Sequence, residues 1–211
     1  MSATLPDFEH ATAQEVLAYG VQRFAPRLTL ACSFQKEESV LFHMLSEIGG
    51  GRDPIRAFTI DTGVLFEETL ATQARFEERF GLAIDVLDAR RAGEPWTAAR
   101  CCGEAKLQAL ECALSGVDAW ITGVRREQAS TRAASAKLER DERRGIWKLN
   151  PLADWSEKDL WRYISEHALP YHPLHDQGYA SIGCAPCTQP GAGREGRWTG
   201  QDKTECGIHL Q

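Results

Sequence analysis

The stretch RLTLACS at residues 27–33 has the length and the apolar character of a short buried strand. Residues 37–48 follow it with apolar side chains at helical spacing. The same alternation continues with strands at 55–60, 83–87 and 119–122, and with helices at 65–80, 96–114 and 156–167. Strands separated by helices predict an α/β fold, with a mainly parallel twisted sheet covered by helices on both faces.

The chain has 211 residues, which is enough for one substantial core, so a single domain over 1–211 is expected. Its α/β core is predicted at 28–169. Proline and glycine become dense afterwards, which indicates loops at 170–197, followed by a C-terminal tail at 198–211.

The composition of the chain argues against nucleic-acid binding and against a membrane-spanning or secreted protein. A net charge of −6 argues against nucleic acid as a partner. The sequence contains no uninterrupted apolar run of about 18 residues, so no transmembrane helix is expected. Residues 1–10 lack the basic and apolar regions of a secretory signal. A cytoplasmic location is therefore expected. In that reducing compartment, paired cysteines indicate metal binding or redox chemistry more than structural disulfides.

Three segments follow predicted strands, where ligands bind in open parallel sheets. Each segment alone could equally be an ordinary turn. Together they favour a nucleotide-binding site, in which backbone N–H groups and cationic side chains bind a phosphate. The candidate substrate-binding residues are Ser33, Phe34, Gln35, Lys36, Asp61, Thr62, Gly123, Arg125 and Arg126.

Seven cysteines are present, and four of them form the pairs Cys101-Cys102 and Cys184-x-x-Cys187. Adjacent thiolates diverge on a helix and suit an iron–sulfur cluster, although a zinc site and a redox disulfide at Cys184–Cys187 remain alternatives. Cys32 and Cys112 are expected to be small buried residues. The isolated Cys206 is a candidate nucleophile on a short tail.

These motifs carry a resemblance. The matching segments include 33–38 (SFQKEE), 61–63 (DTG), 101–102 with Lys106, 120–128 (WITGVRREQ), 181–188 (SIGCAPCT), 194–198 (REGRW) and 205–209 (ECGIH). The chain resembles the sulfonucleotide (APS/PAPS) reductases, in particular the thioredoxin-dependent, cluster-containing assimilatory adenylylsulfate reductases.

The resemblance implies an adenine nucleotide α-hydrolase-like fold with a modified pyrophosphate loop. It implies reduction of adenosine 5′-phosphosulfate (APS) to sulfite and AMP in cysteine biosynthesis, through a Cys206 S-sulfonate that thioredoxin releases. It also implies that Cys101, Cys102, Cys184 and Cys187 bind a [4Fe–4S] cluster. The groups implied around the phosphosulfate are Lys106, Arg194, Arg197 and His209.

Similar enzymes that use the 3′-phosphorylated substrate (PAPS) usually lack both cysteine pairs, so the pairs favour APS, although some cluster enzymes accept both. Lys106 lies four residues after Cys102 and is expected to link the charge of the cluster to that of the substrate. A pyrophosphate-loop ligase or adenylyltransferase and a zinc-binding interaction protein are the remaining alternatives. The sequence leaves the oligomeric state open and allows a homo-oligomer.

Overall fold

The computed structural model describes residues 7–49, 55–90, 103–199 and 205. The helices are α1 (Ala13–Phe24), α2 (Lys36–Gly49), α3 (Glu67–Phe80), α4 (Glu104–Ala113) and α5 (Glu157–Glu166). The strands are β1 (Leu28–Ala31), β2 (Arg56–Asp61), β3 (Ile84–Asp88), β4 (Ala119–Ile121), β5 (Leu138–Asp141) and β6 (Ile146–Leu149). Short 3₁₀ turns are the regular elements described after α5.

The six strands form one sheet in the order β3-β2-β1-β4-β6-β5. The pairs β1–β2, β2–β3, β1–β4 and β4–β6 are parallel, and β5 runs antiparallel to β6 at the edge. The predicted α/β class with a mainly parallel sheet is confirmed.

Alternation along the strands separates two apolar layers, because successive side chains point to opposite faces of a sheet. Leu28 and Leu30 of β1 pack in the larger layer with α1, α2 and α5. Phe58 and Ile60 of β2 and Trp120 of β4 pack in the smaller layer, against α4. Helices therefore cover both faces, as the sequence predicted.

Helix α1 and the β5–β6 hairpin were not predicted from the sequence. Helix α1 begins with a capping box, in which the Thr12 hydroxyl accepts from the Glu15 amide and the Glu15 carboxylate accepts from the Thr12 amide. The hairpin of β5 and β6 extends the sheet beyond β4. The predicted helix 96–114 is observed from Glu104 to Ala113, and its first residues lie outside the described part of the chain.

The strand order reverses direction at the centre of the sheet. From β1 the chain moves outward to β2 and β3, whereas β4 leads to β6 on the other side. The loops that follow β1 and β4 therefore run in opposite directions from the carboxyl ends of these two strands, and a crevice opens between them. Ligands bind in this crevice in open parallel sheets. None of the described helices is long and apolar enough to cross a membrane.

Candidate active site

A pocket occupies this crevice between the carboxyl ends of β1 and β4. Its floor is formed by the ends of β1 and β2 and by Thr122 and Gly123 after β4. Lys106 and Leu110 of α4 form one wall. The C-terminal loops close the other side with Ile182, Gly183, Cys184, Arg194 and Arg197.

The loop from β1 to α2 is held in a strained conformation at its centre. Phe34 has φ = 58°, which is uncommon for a bulky residue, and its buried ring packs edge-on against Phe76. This anchor directs the backbone of the loop along the pocket. Ser33, Phe34 and Gln35 all line the pocket, and their binding of substrate stays a prediction.

The Glu38 carboxyl ties this loop together from the first turn of α2. Its Oε2 accepts from the Ser33 hydroxyl at 3.1 Å and from the Gln35 amide at 2.9 Å. The Gln35 side chain in turn accepts from the Ile182 amide at 2.9 Å. The loop after β1 is thereby coupled to the cysteine-bearing loop at the far side of the pocket.

Glu38 and its neighbour Glu37 have opposite electrostatic environments. Burial, together with the negative charge of Glu37, raises the pKa of Glu38 to about 8. Burial also acts to raise the pKa of Glu37, but the nearby charges of Arg125 and Lys36 outweigh it and hold that pKa below its ordinary value. At neutral pH the pocket therefore contains a protonated Glu38 carboxyl beside an ionised Glu37.

Lys36 is not among the residues that line the pocket, and its contact with a phosphate stays a prediction. Its buried ammonium donates to the Ala180 carbonyl at 2.9 Å and forms an ion pair with Glu157 at 2.9 Å. The side chain fastens α2 to the start of α5. Its charge is thus engaged in holding elements together.

Arg125 and Arg126 are also not among the residues that line the pocket, and their substrate-binding roles stay predictions. Arg125 is buried, and its Nε donates to Glu37 at 2.9 Å. Arg126 forms a bidentate pair with Glu9, with N–O distances of 2.6 and 2.7 Å. Both arginines connect the loop after β4 to other parts of the fold.

The segment after β2 makes two local contacts. Asp61 accepts from the Gly63 amide at 2.7 Å and so closes its own turn. The Thr62 hydroxyl lies 3.2 Å from the Cys184 sulfur. The substrate-binding roles of Asp61 and Thr62 stay predictions.

Gly123 lines the pocket and packs closely against α2. A Cβ atom at this position would lie 2.7 Å from the Glu37 Cβ and 2.7 Å from the Glu38 Oε1. Only glycine allows the end of β4 to approach the first turn of α2 this closely. The contact sets the width of the crevice.

Four basic side chains line the pocket: Lys106, Arg132, Arg194 and Arg197. Arg197 donates to the Ile182 carbonyl at 3.1 Å and to the Ser181 hydroxyl at 3.3 Å. The guanidinium carbons of Arg194 and Arg197 lie 5.1 and 4.6 Å from the centre of the Trp198 ring. This concentration of charge suits a small polyanion although the chain as a whole is acidic.

The Cys184–Cys187 loop borders the same pocket. Both cysteines are buried and pack with Trp198, Val64 and Leu65. The indole Nε1 of Trp198 is buried and has no hydrogen-bond partner among the described residues. An indole N–H needs an acceptor when buried, so a further group with acceptor atoms would fit beside the two thiols.

Glu205 is a described residue of the tail, and it contacts the basic side chains of the pocket. Its carboxylate accepts from Arg132 Nε and Nη2, both at 2.9 Å, from Arg194 Nη2 at 3.0 Å and from the Thr131 hydroxyl at 2.8 Å. The motif ECGIH at 205–209 contains Glu205, but the sequence indicates only its cysteine and histidine as functional groups. The partners of Glu205, Arg132 and Arg194, lie 73 and 11 residues away, so the motif alone does not show these contacts.

Some of the predicted site residues lie outside the described part of the chain, namely Cys101, Cys102, Cys206 and His209. Within the described part, no group of three or more histidine, cysteine or acidic side chains is arranged to hold a metal ion. Cys32 is buried as expected, and burial raises the pKa of its thiol well above the ordinary value. Cys112 is exposed, so the expectation that it is buried was wrong.

Comparisons with known proteins agree with this geometry. The profile of the phosphoadenosine phosphosulfate reductase domain matches residues 27–190. The adenosine 5′-phosphosulfate reductase of Salinibacter ruber is 38% identical over 99% of this chain and 88% of its own length. The phosphoadenosine 5′-phosphosulfate reductase of Gloeobacter violaceus is 40% identical over 96% of this chain and 90% of its own.

The fold has a counterpart among solved structures. The crystal structure of phosphoadenylyl-sulfate (PAPS) reductase from Candida auris, a phosphate complex, superposes with a TM-score of 0.72 at 25% identity. The match covers 90% of this chain and all of that one.

Proposed function

The chain belongs to the phosphoadenosine phosphosulfate reductase family, and from this premise we propose that it reduces APS to sulfite and AMP with electrons from thioredoxin. The observation that carries the proposal is the cluster of Lys106, Arg132, Arg194 and Arg197 around one pocket at the carboxyl edge of the sheet. A phosphosulfate is a compact polyanion, which such a cluster binds through charge-assisted hydrogen bonds.

The first chemical step forms a bond between sulfur atoms. The Cys206 thiolate attacks the sulfur of APS, the bond from that sulfur to the phosphate oxygen breaks, and AMP leaves with the electron pair. Arg194, Arg197, Lys106 and His209 are proposed to offset the charge that develops on the departing phosphate. The product is a Cys206 S-sulfonate.

The second step returns the cysteine to its thiol. One thiolate of thioredoxin attacks the Cys206 sulfur, the bond to the sulfonate breaks, and sulfite leaves. The second thiolate of thioredoxin then attacks its partner in the mixed disulfide and releases the Cys206 thiol. The thioredoxin dithiol becomes a disulfide, which supplies the two electrons that convert the sulfate-level sulfur to sulfite.

The tail must serve both steps, since Cys206 meets a small substrate in the pocket and then a separate protein. Nine residue steps separate Arg197 from Cys206, which allows a span of at most about 30 Å. We propose that residues 198–211 act as a mobile catalytic tail, that 170–197 form the substrate and cofactor loops, and that 28–169 form the nucleotide core. The reducing cytoplasm is the compartment in which such a cycle runs.

A [4Fe–4S] cluster is proposed as the resident cofactor, bound by Cys101, Cys102, Cys184 and Cys187. Three observations support its fit: the two buried thiols at Cys184 and Cys187, the Thr62 hydroxyl beside the Cys184 sulfur, and the buried Trp198 N–H. Cys101 and Cys102 directly precede Gly103 at the start of α4, and Lys106 of that helix lines the same pocket as Cys184. When bound, the cluster supplies local charge and holds these loops together.

The proposal is tested by sulfite release with APS and with PAPS, in the presence of thioredoxin and its reductase. We expect turnover with APS and much slower turnover with PAPS, because the two cysteine pairs favour the substrate without a 3′-phosphate. Arg197→Ala should lower kcat/KM for APS by about 100-fold, the scale of a lost charge-assisted contact. No sulfite from either substrate, or ATP turnover with pyrophosphate release, would reject the assignment.

A further inference from the structure

Glu205, the tail residue that precedes the proposed nucleophile Cys206, is surrounded by hydrogen-bond donors. The Glu205 side chain is 5% exposed, and its two carboxylate oxygens accept four hydrogen bonds from Arg132, Arg194 and Thr131. Arg132 contributes two of these bonds in a planar, two-point contact, the strongest geometry that an arginine and a carboxylate can form. Arg132 is itself held, since it donates to the Gln128 side chain.

The electrostatics keep Glu205 ionised among these donors. Burial acts to raise its pKa, but the hydrogen bond and charge of Arg132, with the charge of Arg194, outweigh burial, so the pKa lies below its ordinary value of 4.5. The contact is therefore complete at neutral pH. It is lost as the pH falls through the lowered pKa, which is well below physiological pH.

We propose that Glu205 is a positioning residue that latches the catalytic tail to Arg132 and Arg194, and so presents Cys206 to the substrate pocket. The inference rests on the proposed function, because it assigns Glu205 a task within that reaction. Arg132 and Arg194 both line the pocket, so a tail fastened to them is fastened at its rim. Cys206 is the next residue of the chain.

Arg132 and Arg194 donate different numbers of hydrogen bonds to Glu205. Arg132 binds Glu205 through Nε and Nη2, whereas Arg194 binds it through Nη2 alone. Arg132 therefore acts as the fixed anchor of the tail. Arg194 joins the latch to the pocket, where the anionic substrate competes for the same guanidinium.

The latch also removes an electrostatic conflict. A carboxylate next to a thiol that must ionise disfavours the thiolate, since two negative charges repel each other. With Arg132 and Arg194 bound to Glu205, the group of three side chains carries a net positive charge, which favours the thiolate.

The experiment compares wild-type holoenzyme with Glu205→Gln, Glu205→Asp and the matched control Glu195→Gln. Glu195 is an exposed carboxylate in the same loop region, so its substitution changes net charge equally. The measurement is labelling of Cys206 by a maleimide that carries a long polyethylene glycol chain, relative to labelling of the exposed Cys112. S-sulfonate formation in a single turnover with APS and AMP affinity are measured on the same proteins.

Glu205→Gln should raise the Cys206-to-Cys112 labelling ratio by about tenfold and lower the rate of S-sulfonate formation by about tenfold, on the scale of a lost charge-assisted pair. AMP affinity should change less than about twofold, because the latch holds the tail and not the nucleotide. Glu205→Asp should lie between Glu205→Gln and the wild type, and Glu195→Gln should match the wild type.

A labelling ratio in Glu205→Gln equal to that in Glu195→Gln overturns the latch, whatever the activity. An unchanged sulfonation rate with increased labelling also overturns it, because the tail would then be released without consequence. If wild-type enzyme forms no S-sulfonate, the proposed function fails, and the labelling ratio still decides whether Glu205 holds the tail.

Discussion

At the scale of single residues, the basic side chains divide into two groups according to whether they line the pocket. Lys36, Arg125 and Arg126 have carboxylates from distant parts of the chain as partners, namely Glu157, Glu37 and Glu9. Lys106, Arg132, Arg194 and Arg197 line the pocket. A local motif shows that a cation follows a strand, but not which distant carboxylate will bind it.

The contact between Gly183 and Arg197 gives a test of the pocket that leaves the arginine itself in the protein. A Cβ atom at Gly183 would lie 2.2 Å from Arg197 Nη2, so Gly183→Ala must displace the guanidinium, which is the far end of a flexible side chain. We expect kcat/KM for APS to fall by about tenfold, with little change in thermal stability. Steady-state kinetics and a melting curve measure both quantities.

The double mutant Gly183→Ala/Arg197→Ala serves as its control. If the alanine at 183 acts by moving Arg197, the double mutant should be no less active than Arg197→Ala alone. Additive losses would show that Gly183 contributes in another way.

Glu38 gives a prediction about pH. Its pKa is about 8 in the folded protein because of burial and Glu37, against an ordinary value of 4.5, so the folded state binds a proton that the unfolded state has lost. The resulting loss of stability builds up as the pH rises from about 4.5 to about 8 and then stays constant. Glu38→Gln should therefore raise the free energy of unfolding at pH 8 by on the order of 2–4 kcal/mol.

Urea unfolding of Glu38→Gln at several pH values measures this effect, with Glu67→Gln, an exposed carboxylate at the start of α3, as the matched control. A stability difference that does not grow between pH 5 and pH 8 would contradict the protonation state assigned to Glu38.

At the scale of elements, the sequence predicted β1, β2, β3 and β4 and the helices between them, because each has an uninterrupted apolar or periodic pattern. It did not predict β5 and β6. β5 has the sequence LERD and β6 the sequence IWKL, so each is four residues long and contains charged side chains, and β5 forms the edge of the sheet. Their pairing is stabilised by cross-strand contacts such as the Lys148–Glu139 ion pair, which no local pattern reveals.

The junction between β4 and α2 depends on the absence of a side chain at Gly123. Gly123→Ala would bring a methyl group within 2.7 Å of Glu37 and Glu38, and the Glu37 contact is close to the backbone, so relief requires α2 to move. We expect a loss of about 1–3 kcal/mol in the free energy of unfolding. Nucleotide binding should weaken as well, because the crevice changes shape.

Urea unfolding and AMP titration measure the two effects of Gly123→Ala. If stability and affinity both remain at the wild-type values, the close packing of β4 against α2 is not what shapes the pocket.

At the scale of the whole molecule, the sheet brings together residues from four distant parts of the chain: the loop after β1, the loop after β4, the start of α4 and the C-terminal loops. The position of the pocket at the carboxyl edge was predictable from the alternation of strands and helices, because ligands bind there in open parallel sheets. The contacts of Glu205 were not predictable, since they involve two arginines that are 73 and 11 residues away.

The proposed cluster predicts the metal content of the purified protein. Anaerobically purified enzyme should be brown and contain about four irons per chain, and Cys184→Ser should lose the colour and most of the iron. Cys112→Ser, a change at an exposed cysteine outside the proposed site, should keep both. A colourless protein with one zinc per chain would contradict the cluster.

The most direct test of the reaction is the intact mass of the enzyme after it is mixed with APS in the absence of thioredoxin. The account predicts that the chain gains the mass of one sulfonate group, that peptide mapping locates it on Cys206, and that reduced thioredoxin removes it with release of sulfite. Cys206→Ser should bind AMP normally and gain no mass. A sulfonate on any other residue, or a mass gain that persists in Cys206→Ser, would contradict the central claim.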